Sequence, residues 1–119
     1  MSRFLLGLDT ALSRVRRMPQ AARSARTEVL DNWAEDTKGL AKSYVPERTG
    51  NLMNAIEDRK YEDAAYVGVY QPDQLEYAQF VEKGTSSMEE QPYLVPAFEA
   101  ASAGIAREFR DTIRRYLEV

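Results

Sequence analysis

Apolar positions recur at steps of three and four at both ends of the chain and alternate in its middle. Near the start, Phe4, Leu5, Leu8, Leu12 and Val15 predict a helix over residues 3–17. Ser2 suits its N-cap, and Arg3, Arg14, Arg16 and Arg17 fill its other face. Met18-Pro19 predicts an end or a kink, because proline disfavours a helical residue before it and lacks the N–H of the ladder. Pro19 then suits the first position of a second helix reaching about Tyr44, with Val29, Trp33, Leu40 and Tyr44 on one stripe and Ala22, Ala25 and Ala41 beside it. Gly39 weakens that helix by about 1 kcal/mol relative to alanine, and Pro46 marks its end. So long a helix with one apolar stripe must lie against a sheet or a neighbouring subunit.

Thr49 is placed to cap a short turn in which Leu52 and Ile56 lie four apart. Residues 57–61 and 64–70 read as strands joined by a turn at Glu62-Asp63. In the second, Val67 and Val69 share one face and Tyr66 and Tyr70 the other. Gln71-Pro72-Asp73 is a turn. Residues 75–83 fit a helix ending at Lys83-Gly84 and also a short buried strand. A polar loop covers residues 85–91. From Pro96 to residue 118, Phe98, Ala101, Ile105, Phe109, Ile113 and Leu117 predict one amphipathic helix, with arginines at its C-terminal end, where cations suit the helix dipole. The fold class is therefore α+β: a long N-terminal helical segment, a small antiparallel β-sheet and an amphipathic C-terminal helix.

With 119 residues, the chain suits one domain, because two would each have too small a core. There is no Cys and no His, which removes disulfides, thiolate zinc sites, imidazole ligands and histidine proton transfer. No apolar run approaches the roughly 20 residues of a membrane span, and Asp9 interrupts the short run Phe4–Leu8. The expectation is a soluble protein made in the cytoplasm. No cofactor or metal is expected.

Charge is segregated. Residues 1–26 hold six arginines against one acid, a net +5, whereas residues 57–90 hold nine acids against three bases, a net −6. Two solvated faces of one monomer would produce this, and so would self-association in which a basic helix of one copy meets an acidic region of the next. A third use of the arginines is contact with DNA phosphates, although the interleaved aromatics of a single-strand groove are missing. The acidic doublets Glu57-Asp58, Glu62-Asp63 and Glu89-Glu90 sit in turn-like places or point to opposite strand faces, so they read as solvated acids. There is no Gly-x-Ser-x-Gly and no phosphate-cradling glycine cluster. Nothing argues for an enzyme. Glu82, beside an apolar run and just before Gly84-Thr85, needs a partner such as an arginine or the backbone N–H groups of the following loop. It reads as a tie that fixes that loop.

Four segments carry a more particular signal: Val45-Pro46, Thr49-Gly50-Asn51-Leu52, Tyr77 to Thr85 (YAQFVEKGT), and Gln91 to Ala97 (QPYLVPA). In this order and spacing they resemble the tailed-bacteriophage neck proteins, the small head–tail joining or tail-completion proteins, over residues 20–119. Lys83 stands where that family would have an aromatic, and Met53-Asn54-Ala55 replaces a more basic stretch.

The resemblance implies a non-enzymatic virion protein of the neck or tail, present in the host cytoplasm during assembly. It implies a homo-oligomeric ring and partners among the stopper, tail terminator or tail tube, with DNA met only as it passes through the neck. On that view Arg14, Arg16, Arg17, Arg23 and Arg26 make assembly contacts. Pro46, Thr49, Gly50, Leu52, Tyr77, Glu82, Gly84, Thr85, Pro92 and Pro96 fix the fold and its loop. A tail terminator or minor tail component is the alternative within the virion. A small nucleic-acid-binding protein using the arginine-rich N-terminal helix is the alternative of another class.

Overall fold

The computed structural model describes residues 3–46 and 50–118, and for residues 3–11 and 14 the backbone alone. The fold is α+β: α1 (Arg3–Tyr44), α2 (Gly50–Ala55), β1 (Ile56–Lys60), β2 (Ala65–Val69), α3 (Pro72–Lys83), α4 (Leu94–Ser102) and α5 (Ile105–Leu117).

The two expected N-terminal helices are one. Helix α1 runs through Pro19 without interruption. A proline inside a helix costs about 3 kcal/mol through its missing N–H and its clash with the preceding turn. Two features offset that cost. Val15, whose carbonyl loses its partner, faces solvent, as does Pro19. Ala21, Ala22 and Ala25, the best of helix formers, continue the helix at once, and Ala21 and Ala25 are buried.

The C-terminal helix differs in the opposite sense. It begins two residues before Pro96 and breaks at Ala103-Gly104, so α4 and α5 replace the single helix expected over 96–118. Gly104 has φ +78°, a left-handed turn that glycine adopts without steric penalty, and the Ala103 N–H donates to Glu99 O at 3.2 Å to close α4. The break re-aims the chain so that α5 packs on α1 beside Arg26, Val29 and Leu30. The stripe Ile105, Phe109, Ile113 and Leu117 is half-buried, and the most enclosed residue of α5 is Thr112.

Strands β1 and β2 pair antiparallel, Ile56 opposite Val69 and Lys60 opposite Ala65, and Tyr61 N donates to Ala64 O at 2.8 Å across the turn. They lie within a residue or so of the expected spans. Val69 and Ile56 are buried, while Tyr66 is exposed and meets Tyr61 edge-on. Residues 75–83 are helical, inside α3. Proline in its first turn needs no N–H partner there, and Gly84 ends it.

The core gathers where the C-terminal end of α1 meets α2, the sheet, α3 and α4. Tyr93, Leu52 and Ile56 are its largest fully buried side chains, packed with Ala41, Val45, Val69, Val81 and Ala97. A four-charge cluster ties the sheet to α1: Lys38 Nζ lies 2.6 Å from Asp58 Oδ1, and Lys60 Nζ 2.5 Å from Glu35 Oε1.

Much of α1 lies outside this body. Ala21 is the outermost buried residue among its described side chains, and the helix continues eighteen residues further, about 27 Å at 1.5 Å per residue. The radius of gyration is 20.5 Å and the extents are 77 × 22 × 19 Å, against about 13.5 Å expected for a compact chain of this length.

Candidate functional site

Two of the motif segments form one structural unit, built around Glu82. Its Oε1 accepts the N–H groups of Tyr93 (3.0 Å) and Leu94 (2.7 Å), and its Oε2 that of Val95 (3.3 Å). The next residue, Pro96, has no N–H. The carboxylate and the proline therefore account for every amide at the start of α4 that lacks a helical partner. A carboxylate is suited to that position, where the helix dipole is positive.

The turn between is held by backbone. Gly84 N donates to Phe80 O (2.7 Å), Thr85 N to Met88 O (2.8 Å) and Gln91 N to Val81 O (2.8 Å). Gly84 sits at φ +77°, and a Cβ there would lie 2.8 Å from Glu90 N and 3.0 Å from Met88 O, so glycine is required on both counts. The Tyr93 hydroxyl donates to Ala78 O at 3.2 Å. Burial, with Glu82 adding to it, pushes the Tyr93 phenol up to about 12. Leu52 is fully buried in α2 beside this unit, and Gly50 opens that helix at the surface. Pro46 is partly buried just past α1, Pro92 and Thr85 are exposed, and Tyr77 is partly exposed. The capping role expected of Thr49 lies outside the described residues.

Of the arginines expected to make contacts, Arg14, Arg16 and Arg17 lie on the part of α1 beyond Ala21, and Arg23 and Arg26 lie inward of it. Arg16 is exposed. Arg17 Nε donates to Ser13 O (3.4 Å), and Arg23 Nη2 to Gln20 Oε1 (3.3 Å). Arg26 lines an apolar cleft of about 290 Å³ with Val29, Leu30, Ile105, Ala106 and Phe109, and its buried Nε has no hydrogen-bond partner. The Arg14 side chain lies outside the description. The same stretch presents Leu12, Val15 and Met18 to solvent, 45, 59 and 48% exposed.

A surface missed in the sequence lies on the body. Trp33 and Thr37 of α1 floor a groove of about 420 Å³, walled by Val67 of β2 and by Leu94, Val95, Phe98 and Glu99 of α4. Trp33 packs edge-on to Phe98 with ring centroids 5.8 Å apart, and its Nε1 donates to Ser102 Oγ (3.0 Å). Val95 and Phe98 are each 54% exposed. Thr37 is 2% exposed and its Oγ1 has no partner. The sequence signal was available: Val95 and Phe98 stand three residues apart and so share one face of α4.

The acidic doublets do not converge. Asp58 is engaged by Lys38 and Lys60, Glu57 is exposed on the other sheet face, and Glu62-Asp63 and Glu89-Glu90 lie on exposed turns. Among the described residues no three acidic side chains group as a metal site, and no helix is long and apolar enough to cross a membrane. The chain matches no family model, no curated protein and no solved structure.

Proposed function

We propose that this chain is a non-enzymatic structural protein of a tailed-phage virion that acts in head–tail joining or tail completion as part of an oligomeric neck assembly. The observation that carries this reading is the shape. A 42-residue helix extends a basic, apolar-striped arm well beyond a small body. A protein whose task is contact uses such an arm to reach a neighbour. The motif segments support the same reading. Tyr77 to Thr85 and Gln91 to Ala97 are joined through Glu82 into a rigid unit, which leaves the body a fixed surface to dock against. The partners are other copies of this chain and the proteins of the neck and tail, with DNA met only in passage.

Reversing charge at the arm, Arg16→Glu with Arg17→Glu, in the phage that makes the protein tests this. Filled heads and separate tails are expected by electron microscopy, with the purified variant still folded by circular dichroism. Full yield of joined virions would overturn the proposal.

A further inference from the structure

The arm and the groove each present an open apolar surface. Leu12 and Val15, one helical turn apart, and Met18, a turn further, form a stripe on the arm with nothing upon it among the described residues. Val95, Phe98, Trp33 and Val67 form an apolar concavity that is also open, over the buried and unpartnered hydroxyl of Thr37. Apolar side chains left open next to one another are where a partner would dock.

The groove cannot take the arm of its own chain. Met18 and Trp33 lie on the same continuous helix, fifteen residues and so about 22 Å apart along its axis, and Leu12 is about 32 Å away. The occupant must come from elsewhere, and charge narrows the choice. Glu99 lines the groove and pairs with no cation among the described residues, while Arg16 borders the arm's apolar stripe and is exposed. Two arms meeting each other would instead juxtapose arginines.

We infer that the groove over Trp33 and Thr37 receives the Leu12–Val15–Met18 stripe of a second copy of this chain, with Arg16 of the incoming arm beside Glu99. The contact is heterologous, since each copy gives an arm and receives one, so it propagates into a ring or a filament and does not stop at a dimer. This names the partner surface for the assembly proposed above and rests on that reading.

Sedimentation velocity on the full chain tests it with Val15→Asp and Phe98→Asp, each first checked for native circular dichroism. Val95→Asp replaces the groove variant should Phe98→Asp unfold. The wild-type chain is expected to form dimers and larger species as concentration rises. Each variant alone is expected to be monomeric, its dissociation constant raised at least roughly tenfold by a charge in an apolar contact. An equal mixture is expected to form a heterodimer and nothing larger, because one variant keeps its groove and the other its arm. A wild-type chain that is monomeric throughout, a groove variant that still associates (as in arm-to-arm pairing), or a mixture that stays monomeric would each overturn the inference. The virion experiment shares Arg16 with this contact, but the two readings remain separable: oligomers built through another surface sink the arm-and-groove contact alone, whereas full phage yield from Val15→Asp, with its self-association abolished, sinks the neck reading.

Discussion

Helix α1 is two helices in all but backbone. From Ala21 to Tyr44 its enclosed positions are small: Ala21, Ala25, Ala34, Thr37 and Ala41, with Val29 the larger exception. Small side chains let α4, α5 and the sheet approach the α1 backbone closely, and the dense contact offsets the entropy of ordering a small domain. From Leu12 to Met18 the apolar positions are larger and open to solvent. A side chain worth about 1.5–3 kcal/mol when buried contributes little where it is exposed. One half of the helix uses its stripe to fold the monomer, and the other holds its stripe in reserve. Apolar periodicity alone does not tell these apart. Residue size does, because alanine at a regular spacing needs a close neighbour in the same chain.

The largest effect expected in the body is at Glu82. Replacing it with alanine removes the acceptor for three amides at the start of α4 and leaves the turn from Gly84 to Gln91 without its anchor. Glu82→Ala is expected to lower unfolding free energy by about 3 kcal/mol in urea. A loss under about 1 kcal/mol would mean that solvent satisfies those amides and that the tie is incidental. Next comes Ala25→Leu, at a position with no exposed surface. Overpacking there is expected to cost about 2 kcal/mol, and a neutral result would show that α5 stands off α1 and that the body half resembles the arm.

Smaller, and dependent on pH, is the cluster joining α1 to β1. The hydrogen bond from Lys38, with the nearby charges of Lys38 and Lys60, holds the Asp58 carboxyl below its usual 3.8. Lys38 itself is raised above 10.5, first by that same bond. A carboxyl depressed in the folded state gives stability that is present above its unfolded pKa and lost as pH falls through the folded one. A raised lysine gives stability that is present below 10.5 and lost as pH rises through its folded pKa. Unfolding free energy is therefore expected to drop on acidification below about pH 4, and Asp58→Asn is expected to flatten that slope in denaturation series from pH 2 upward. An unchanged slope would assign the acid sensitivity to other carboxylates.

How far these features were legible follows from the range of the forces involved. The α+β class, both strands and the hairpin turn came from local alternation and turn chemistry. Glu82 was singled out because an acid beside apolar residues needs donors, although only the folded chain brings Tyr93, Leu94 and Val95 to it, eleven to thirteen residues on. The misjudged places were balances between a local penalty and a tertiary gain. Pro19 should end a helix, yet buried Ala21 and Ala25 carry it through. Gly104 lies in an unbroken apolar stripe, yet the gain from packing α5 on α1 beside Arg26, Val29 and Leu30 selects the left-handed turn. The groove over Thr37 was invisible because its walls come from α1, β2 and α4, far apart in the chain.

The smallest effect on the monomer is the sharpest test of the comparison. Val15→Asp exchanges two residues of similar helix propensity at a solvent-facing position. At high dilution it is expected to change unfolding free energy by no more than about 0.5 kcal/mol. The difference should emerge only with concentration. An interface that exists in the folded state alone stabilises it by mass action, so the wild-type melting temperature should climb as protein is added while that of Val15→Asp stays level. A variant that is less stable even when dilute would place Val15 in contact with its own body, and the two halves of α1 would then be doing the same work.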